Sequence, residues 1–348
     1  MIDDVMDYNA VALQLLKKCT QFKSSNVCRR DEKTNSLEAL HLLWTSNLVN
    51  EVEYSAAVYE SLVSMFASNV FRPLPSVAYS ELTEEHKAEI VSEYEHIRLV
   101  YRAFQAFLKL DRFRQRKAQP HFDRKFVDGL VCRLNSILTA ERINARDTIG
   151  YLYDDCPFLR PHIFQSAISE LTDFTCSSSY QHNGIVLVLD VLRDTVIYTP
   201  ISDTALDEFA KILLRLVNHD TLIMFDEKLL DCLAVLDRNG DDLVPQMLVA
   251  VLRLWQQDND KAFMYLRMVE SLYGLCDSEQ WSSLQPRVLR LVANILESVD
   301  SELSDKAMSF WNRIFIDKYH LNDNSAKPRS TLYVSQDDDH DDDDDERQ

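Results

Sequence analysis

The residues with the most obvious chemical capacity lie in the run Asp237-Arg238-Asn239-Gly240-Asp241-Asp242, which has the composition of a calcium loop. With Gly240 at the loop's glycine position, the first ligand would be Val235 and the twelfth Gln246. One lacks a side-chain oxygen and the other lacks charge, so the stretch reads as an inter-helix turn built on Asn-Gly. The nine histidines show no H-x-x-x-H spacing, and the seven cysteines are scattered with no C-x-x-C. No zinc site and no disulfide framework is expected, and the thiols read as reduced.

Glycine limits the choice further. The chain has five, at 129, 150, 184, 240 and 274. None are close enough together to build a phosphate-cradling loop, a dinucleotide turn or a nucleophile elbow. No cofactor, no metal and no catalytic residues are therefore expected, and the chain reads as a non-enzyme. Arg112, Arg114, Arg116 and Lys117 form the main basic cluster. It reads as an exposed inter-helix loop, or as a contact for an acidic partner or an importin.

The elements that carry these residues are helices. In EHIRLVYRAFQAFLK, the residues Ile97, Val100, Tyr101, Phe104, Phe107 and Leu108 share one helical face. The same periodicity recurs in YSAAVYESLVSMF, RKFVDGLVCRLNSIL, GIVLVLDVL, EFAKILLRLV, PQMLVAVLRLW and RVLRLVANIL, separated by short polar breakers. Helix pairs of about 40 residues predict an all-α solenoid of HEAT- or armadillo-like repeats. An irregular helical bundle is the structural rival. The solenoid is expected over 1–322. The remainder, 323–348, ends in DDDHDDDDDERQ and reads as a disordered acidic tail, either a solubilising extension or a binding element.

Length and charge narrow the partners. The 348 residues carry a net charge of −19, which disfavours nucleic acid, because affinity for phosphates requires an excess of Lys and Arg. No apolar run approaches the roughly 20 residues of a membrane span. The opening MIDDVMDYNAVALQLLKK places acids first and lysines last, in the charge order of a helix rather than of a secretory leader. A cytoplasmic or nuclear protein that binds other proteins is expected.

Several segments, in order, carry a resemblance. MFASNVFRPLP ends a helix and continues as Phe-Arg-x-Leu-Pro, and HIRLVYRAFQAFL, FDRKFVDGLV and His182-Asn183-Gly184-Ile185 follow. VPQMLVAVLRLWQQDNDKAFMYLRMVESL and KAMSFWNRIFI complete the set, with landmarks at Pro245, Trp255, Lys261, Glu270, Trp311 and Asn312. Together these resemble the B-prime class of regulatory subunits of protein phosphatase 2A. The resemblance implies a curved stack of eight HEAT-like repeats that docks on the scaffold (A) and catalytic (C) subunits. It implies selection of phosphoprotein substrates that bear a short linear motif, Leu-x-x-Ile-x-Glu, through a groove between middle repeats.

Carried over, that groove holds an aromatic hydroxyl at Tyr153, a guanidinium at Arg160, an apolar wall at Val191, and Thr195 where the family has an apolar side chain. Gly150-Tyr151 replaces the family's His-Arg, and ISDTALDEF lacks the family's lysine and histidine. The standard motif is therefore expected to bind weakly, or a different one to bind. A helical-repeat adaptor of the same descent that no longer joins the phosphatase is the alternative.

Overall fold

The structure, a computed structural model, describes residues 7–20, 27–46, 52–75, 81–176, 182–236, 243–257, 261–296 and 301–320. Two sequence expectations, the Asn-Gly turn at 237–242 and the acidic tail at 323–348, lie outside these residues. The described residues form fifteen α-helices, a few 3-10 turns and no strand. The chain divides into two compact units, 1–250 and 251–348.

The first unit contains α1 (Tyr8–Thr20), α2 (Val27–Thr45), α3 (Ala56–Val70), α4 (Glu84–Leu108), α5 (Gln115–Ala118) and α6 (Arg124–Cys132). It continues with α7 (Thr139–Asp155), α8 (Arg160–Cys176), α9 (Ile185–Tyr198), α10 (Asp203–Leu216) and α11 (Asp226–Leu236). α12 (Leu243–Gln257) contains the division.

Helices of the first unit pack in two rows. In one row α1 meets α3, α3 meets α5, α6 meets α8 and α8 meets α10. In the other, α2 meets α4, α4 meets α7, α7 meets α9 and α9 meets α11. This is the helical-repeat arrangement that the periodicity predicts, since an amphipathic pair cannot bury its stripe until the next pair covers it. The predicted face of α4 is fully inside: Ile97, Val100, Tyr101, Phe104, Phe107 and Leu108 are all buried. Phe66 of α3 stacks 4.2 Å from Phe104 of α4 and 5.7 Å from Phe126 of α6, which ties both rows into one aromatic core.

The Phe-Arg-x-Leu-Pro segment is structural. Beyond the end of α3, Arg72 donates from both terminal nitrogens to Glu141 of α7, at 2.7 and 2.9 Å. Glu141 is completely buried, and its second oxygen also accepts from the Ser136 hydroxyl at 2.6 Å. Arg133 in turn donates to the carbonyls of Arg72 and Val70.

The His-Asn-Gly-Ile turn is also structural. The Asn183 backbone amide donates to Asn135 Oδ1 at 2.8 Å, pinning the start of α9 to the 3-10 turn Arg133–Asn135 that follows α6. A Cβ on Gly184 would lie 2.0 Å from the Leu134 carbonyl oxygen. Its φ of −134° is open to any residue, so close approach, not dihedral freedom, demands glycine. Gly184→Ala is expected to cost about 1–3 kcal/mol through overpacking, read as a lowered melting temperature.

The second unit contains α13 (Ala262–Leu275), α14 (Ser278–Leu296) and α15 (Ser301–His320), each in contact with the other two. Tyr273 joins them, 4.4 Å from Trp281 and 5.8 Å from Phe310.

Candidate functional site

The seam between α7 and α9 forms a groove of about 240 Å³. From α7 it takes Arg146, Ile149, Gly150, Tyr153 and Asp154, and from α9 it takes Val191, Asp194, Thr195 and Tyr198. Each set follows the i, i+3, i+4, i+7 spacing of one helical face. The groove is therefore the place where two neighbouring stripes of one row fail to close on each other. Gly150 contributes to the opening, since a Cβ there would meet nothing within 4 Å.

Both helices stop just before a proline. Pro157 disfavours helical geometry at Cys156 and ends α7. Thr199, preceding Pro200, is extended at φ −132° and ψ 135° and ends α9. The two ends meet where the Tyr153 and Thr199 hydroxyls hydrogen-bond to each other. The turn after α7 returns Arg160 at the start of α8. There its Nε donates to the Tyr153 carbonyl at 2.9 Å, and its guanidinium lies 4.6 Å over the Tyr153 ring.

Three of the four carried-over residues, Tyr153, Val191 and Thr195, line one groove, and Arg160 packs against Tyr153 without lining it. The Thr195 hydroxyl donates to the Val191 carbonyl at 2.7 Å, so its polar group is satisfied within α9 and adds no donor to the groove. Tyr151 lies outside, its ring under Lys109 at 4.4 Å. Sequence reasoning missed Arg146, Asp154, Asp194 and Tyr198. Steps of four from Gly150 reach Arg146 and Asp154, and steps of three and seven from Val191 reach Asp194 and Tyr198.

The α9 wall is charge-balanced. Arg146 reaches Asp194 at 3.3 Å, and Asp194 also accepts from Arg193 at 2.8 Å. Arg193 continues to Asp190 and Asp231, and Lys228 bridges the same two carboxylates. Three cations thus face three anions. Asp154 is exposed and takes part in no ion pair among the described residues.

The remaining candidates resolve simply. Arg112, Arg114 and Arg116 are exposed, whereas Lys117 is held by Glu53 at 3.0 Å and by the Tyr54 carbonyl at 2.7 Å. Among the described residues no group of three or more His, Cys, Asp or Glu could hold a metal ion. No described helix is long and apolar enough to cross a membrane.

Comparison with known proteins decides the ancestry. The family described as protein phosphatase 2A regulatory B subunit (B56 family) matches residues 7–331. The chain belongs to the B56 family. Among similar B56 relatives, the human serine/threonine-protein phosphatase 2A 56 kDa regulatory subunit delta isoform is 24% identical over 278 residues, covering 78% of this chain and 46% of that protein. The regulatory subunit pptr-1 of Caenorhabditis elegans is 25% identical over 270 residues, covering 74% of this chain and 48% of that one. The regulatory subunit psrA of Dictyostelium discoideum is 25% identical over 268 residues, covering 74% and 42%. This B56 chain spans about half the length of the curated relatives it matches.

Proposed function

We propose that this chain is a non-catalytic targeting subunit of protein phosphatase 2A. It docks on the scaffold and catalytic subunits and selects phosphoprotein substrates through the α7/α9 groove, in the cytoplasm or nucleus. The observation that carries the reading is the family match over residues 7–331, together with a groove lined by three of the four carried-over residues, Tyr153, Val191 and Thr195. The groove suits a side chain of an extended peptide rather than a cofactor, being smaller than the roughly 300 Å³ at which small-molecule sites begin.

Affinity capture of the tagged full chain from cells tests this reading, with the eluate probed for scaffold and catalytic subunits. Recovery of both is the expected result. Recovery of other proteins with neither subunit would favour the adaptor alternative.

A further inference from the structure

The occupant of this groove follows from its charges. A ligand carboxylate needs a cation or donor that nothing else already occupies. The Arg146 charge is balanced by Asp194, and the Tyr153 hydroxyl is bonded to Thr199 and the Thr195 hydroxyl to the Val191 carbonyl. Arg160 packs on Tyr153 and does not line the groove. The segment after α9, Ile201–Phe209, carries Asp203, Asp207 and Glu208 and no cation.

A ligand cation meets the opposite situation. Asp154 lines the groove as an exposed carboxylate with no ion-pair partner among the described residues. It sits with Asp155 in the last turn of α7, a turn that holds no basic residue. The carbonyl end of a helix is already negative and is stabilised by cations, so two aspartates there are set against the local field. Burial, followed by the Asp154 charge, pushes the Asp155 carboxyl above its ordinary range, and the Arg160 guanidinium at this helix end is turned to the Tyr153 carbonyl and ring.

We infer that the α7/α9 groove binds an extended peptide by one apolar side chain and one lysine or arginine, the apolar group opposite Gly150 and the cation at Asp154. This rests on the targeting-subunit reading and names the class of segment that its groove takes.

The spacing is consistent. Gly150 and Asp154 are one helical turn apart, about 6 Å along α7. Alternate residues of an extended strand are about 6.7 Å apart and point to the same side. The pattern apolar-x-basic therefore spans the two subsites. The apolar side chain enters between Ile149, Val191 and Tyr198, the last of which is 63% exposed and available to cover it. Gly150 keeps this space open within a helix, where glycine is otherwise disfavoured.

The test uses two labelled peptides, Leu-Ser-Ser-Ile-Ser-Lys and Leu-Ser-Ser-Ile-Ser-Glu, titrated against the full chain by fluorescence anisotropy. The lysine peptide is expected to bind about tenfold tighter, a ratio equivalent to ~1.4 kcal/mol. The preference should shrink as salt rises, because an exposed pair is screened. Gly150→Leu fills open space, is expected to remain folded by circular dichroism, and should abolish binding. Asp154→Lys should reverse the preference.

Equal or tighter binding of the glutamate peptide, no saturable binding of either peptide, or full affinity in folded Gly150→Leu would overturn the inference. Capture of scaffold and catalytic subunits by the unaltered chain is scored separately. Loss of capture with the lysine preference intact removes the targeting reading and leaves the groove's preference standing. Capture with no lysine preference does the reverse.

Discussion

Glu141→Ala is expected to lower the unfolding free energy of the chain by about 3–5 kcal/mol, the usual result of stranding one member of a buried ion pair. Glu141 has no exposed surface, and Arg72 grips it with two parallel hydrogen bonds from a segment 69 residues away. Removing the carboxylate leaves the largely buried Arg72 guanidinium with only the half-exposed Glu93, at 3.8 Å, as counter-charge, and removes the acceptor of the Ser136 hydroxyl. It also loosens the join between the end of α3 and the start of α7, the helix that forms one wall of the groove.

Urea denaturation reads the effect directly. The paired replacement Arg72→Met with Glu141→Leu should recover much of the loss, because neither charge is then left buried alone. A Glu141→Ala chain within about 0.5 kcal/mol of the native protein would place it among ordinary surface substitutions and contradict this account of the pair.

Lys33 is the second large expectation, and here removal should stabilise. This lysine of α2 is 1% exposed, donates to Asn69 Oδ1 and lies beside the buried Cys19. Burial pulls the ammonium pKa down from 10.5 to about 7. Burial likewise pushes the Cys19 thiol up to about 12, so over the physiological range Cys19 offers no thiolate to hold the lysine charge.

The sign of the pH dependence follows. Between about pH 7 and 10.5 the unfolded chain holds a proton at Lys33 that the folded chain has lost, so this residue makes stability rise with pH across that window. Below about 7 both states are protonated and the full cost of burying the charge is present. Lys33→Met should therefore be more stable than the native chain at pH 6.5, and its advantage should shrink by about 2 kcal/mol by pH 8.5. Urea titrations of both proteins at the two pH values supply the difference. A variant less stable at pH 6.5, or an advantage independent of pH, would contradict the buried, proton-shedding state.

The sequence disclosed periodic features and concealed those built from distant residues. The α4 face from Ile97 to Leu108 was legible because six apolar positions repeat at helical spacing, and each is buried. Val191 and Thr195 were reachable only through the ordered resemblance, since one valine and one threonine on an apolar helix carry no signal of their own. Arg146, Asp154, Asp194 and Tyr198 follow once a seam between α7 and α9 is known, but a seam is a property of packing between repeats.

The pairing of Arg72 with Glu141 and the burial of Lys33 left no trace in the sequence. Neither has a spacing that distinguishes it from the many solvated charges of this acidic chain. Phe-Arg-x-Leu-Pro was correctly read as the end of a helix. Its arginine proved to hold two distant helices in register, which periodicity does not encode.

The central claim is that this array of helices brings a phosphatase to its targets. Size-exclusion chromatography of the purified full chain mixed with purified scaffold and catalytic subunits tests it most directly. The account predicts that all three elute together as one heterotrimer. Elution of the chain by itself, with the scaffold–catalytic pair unshifted, would contradict it.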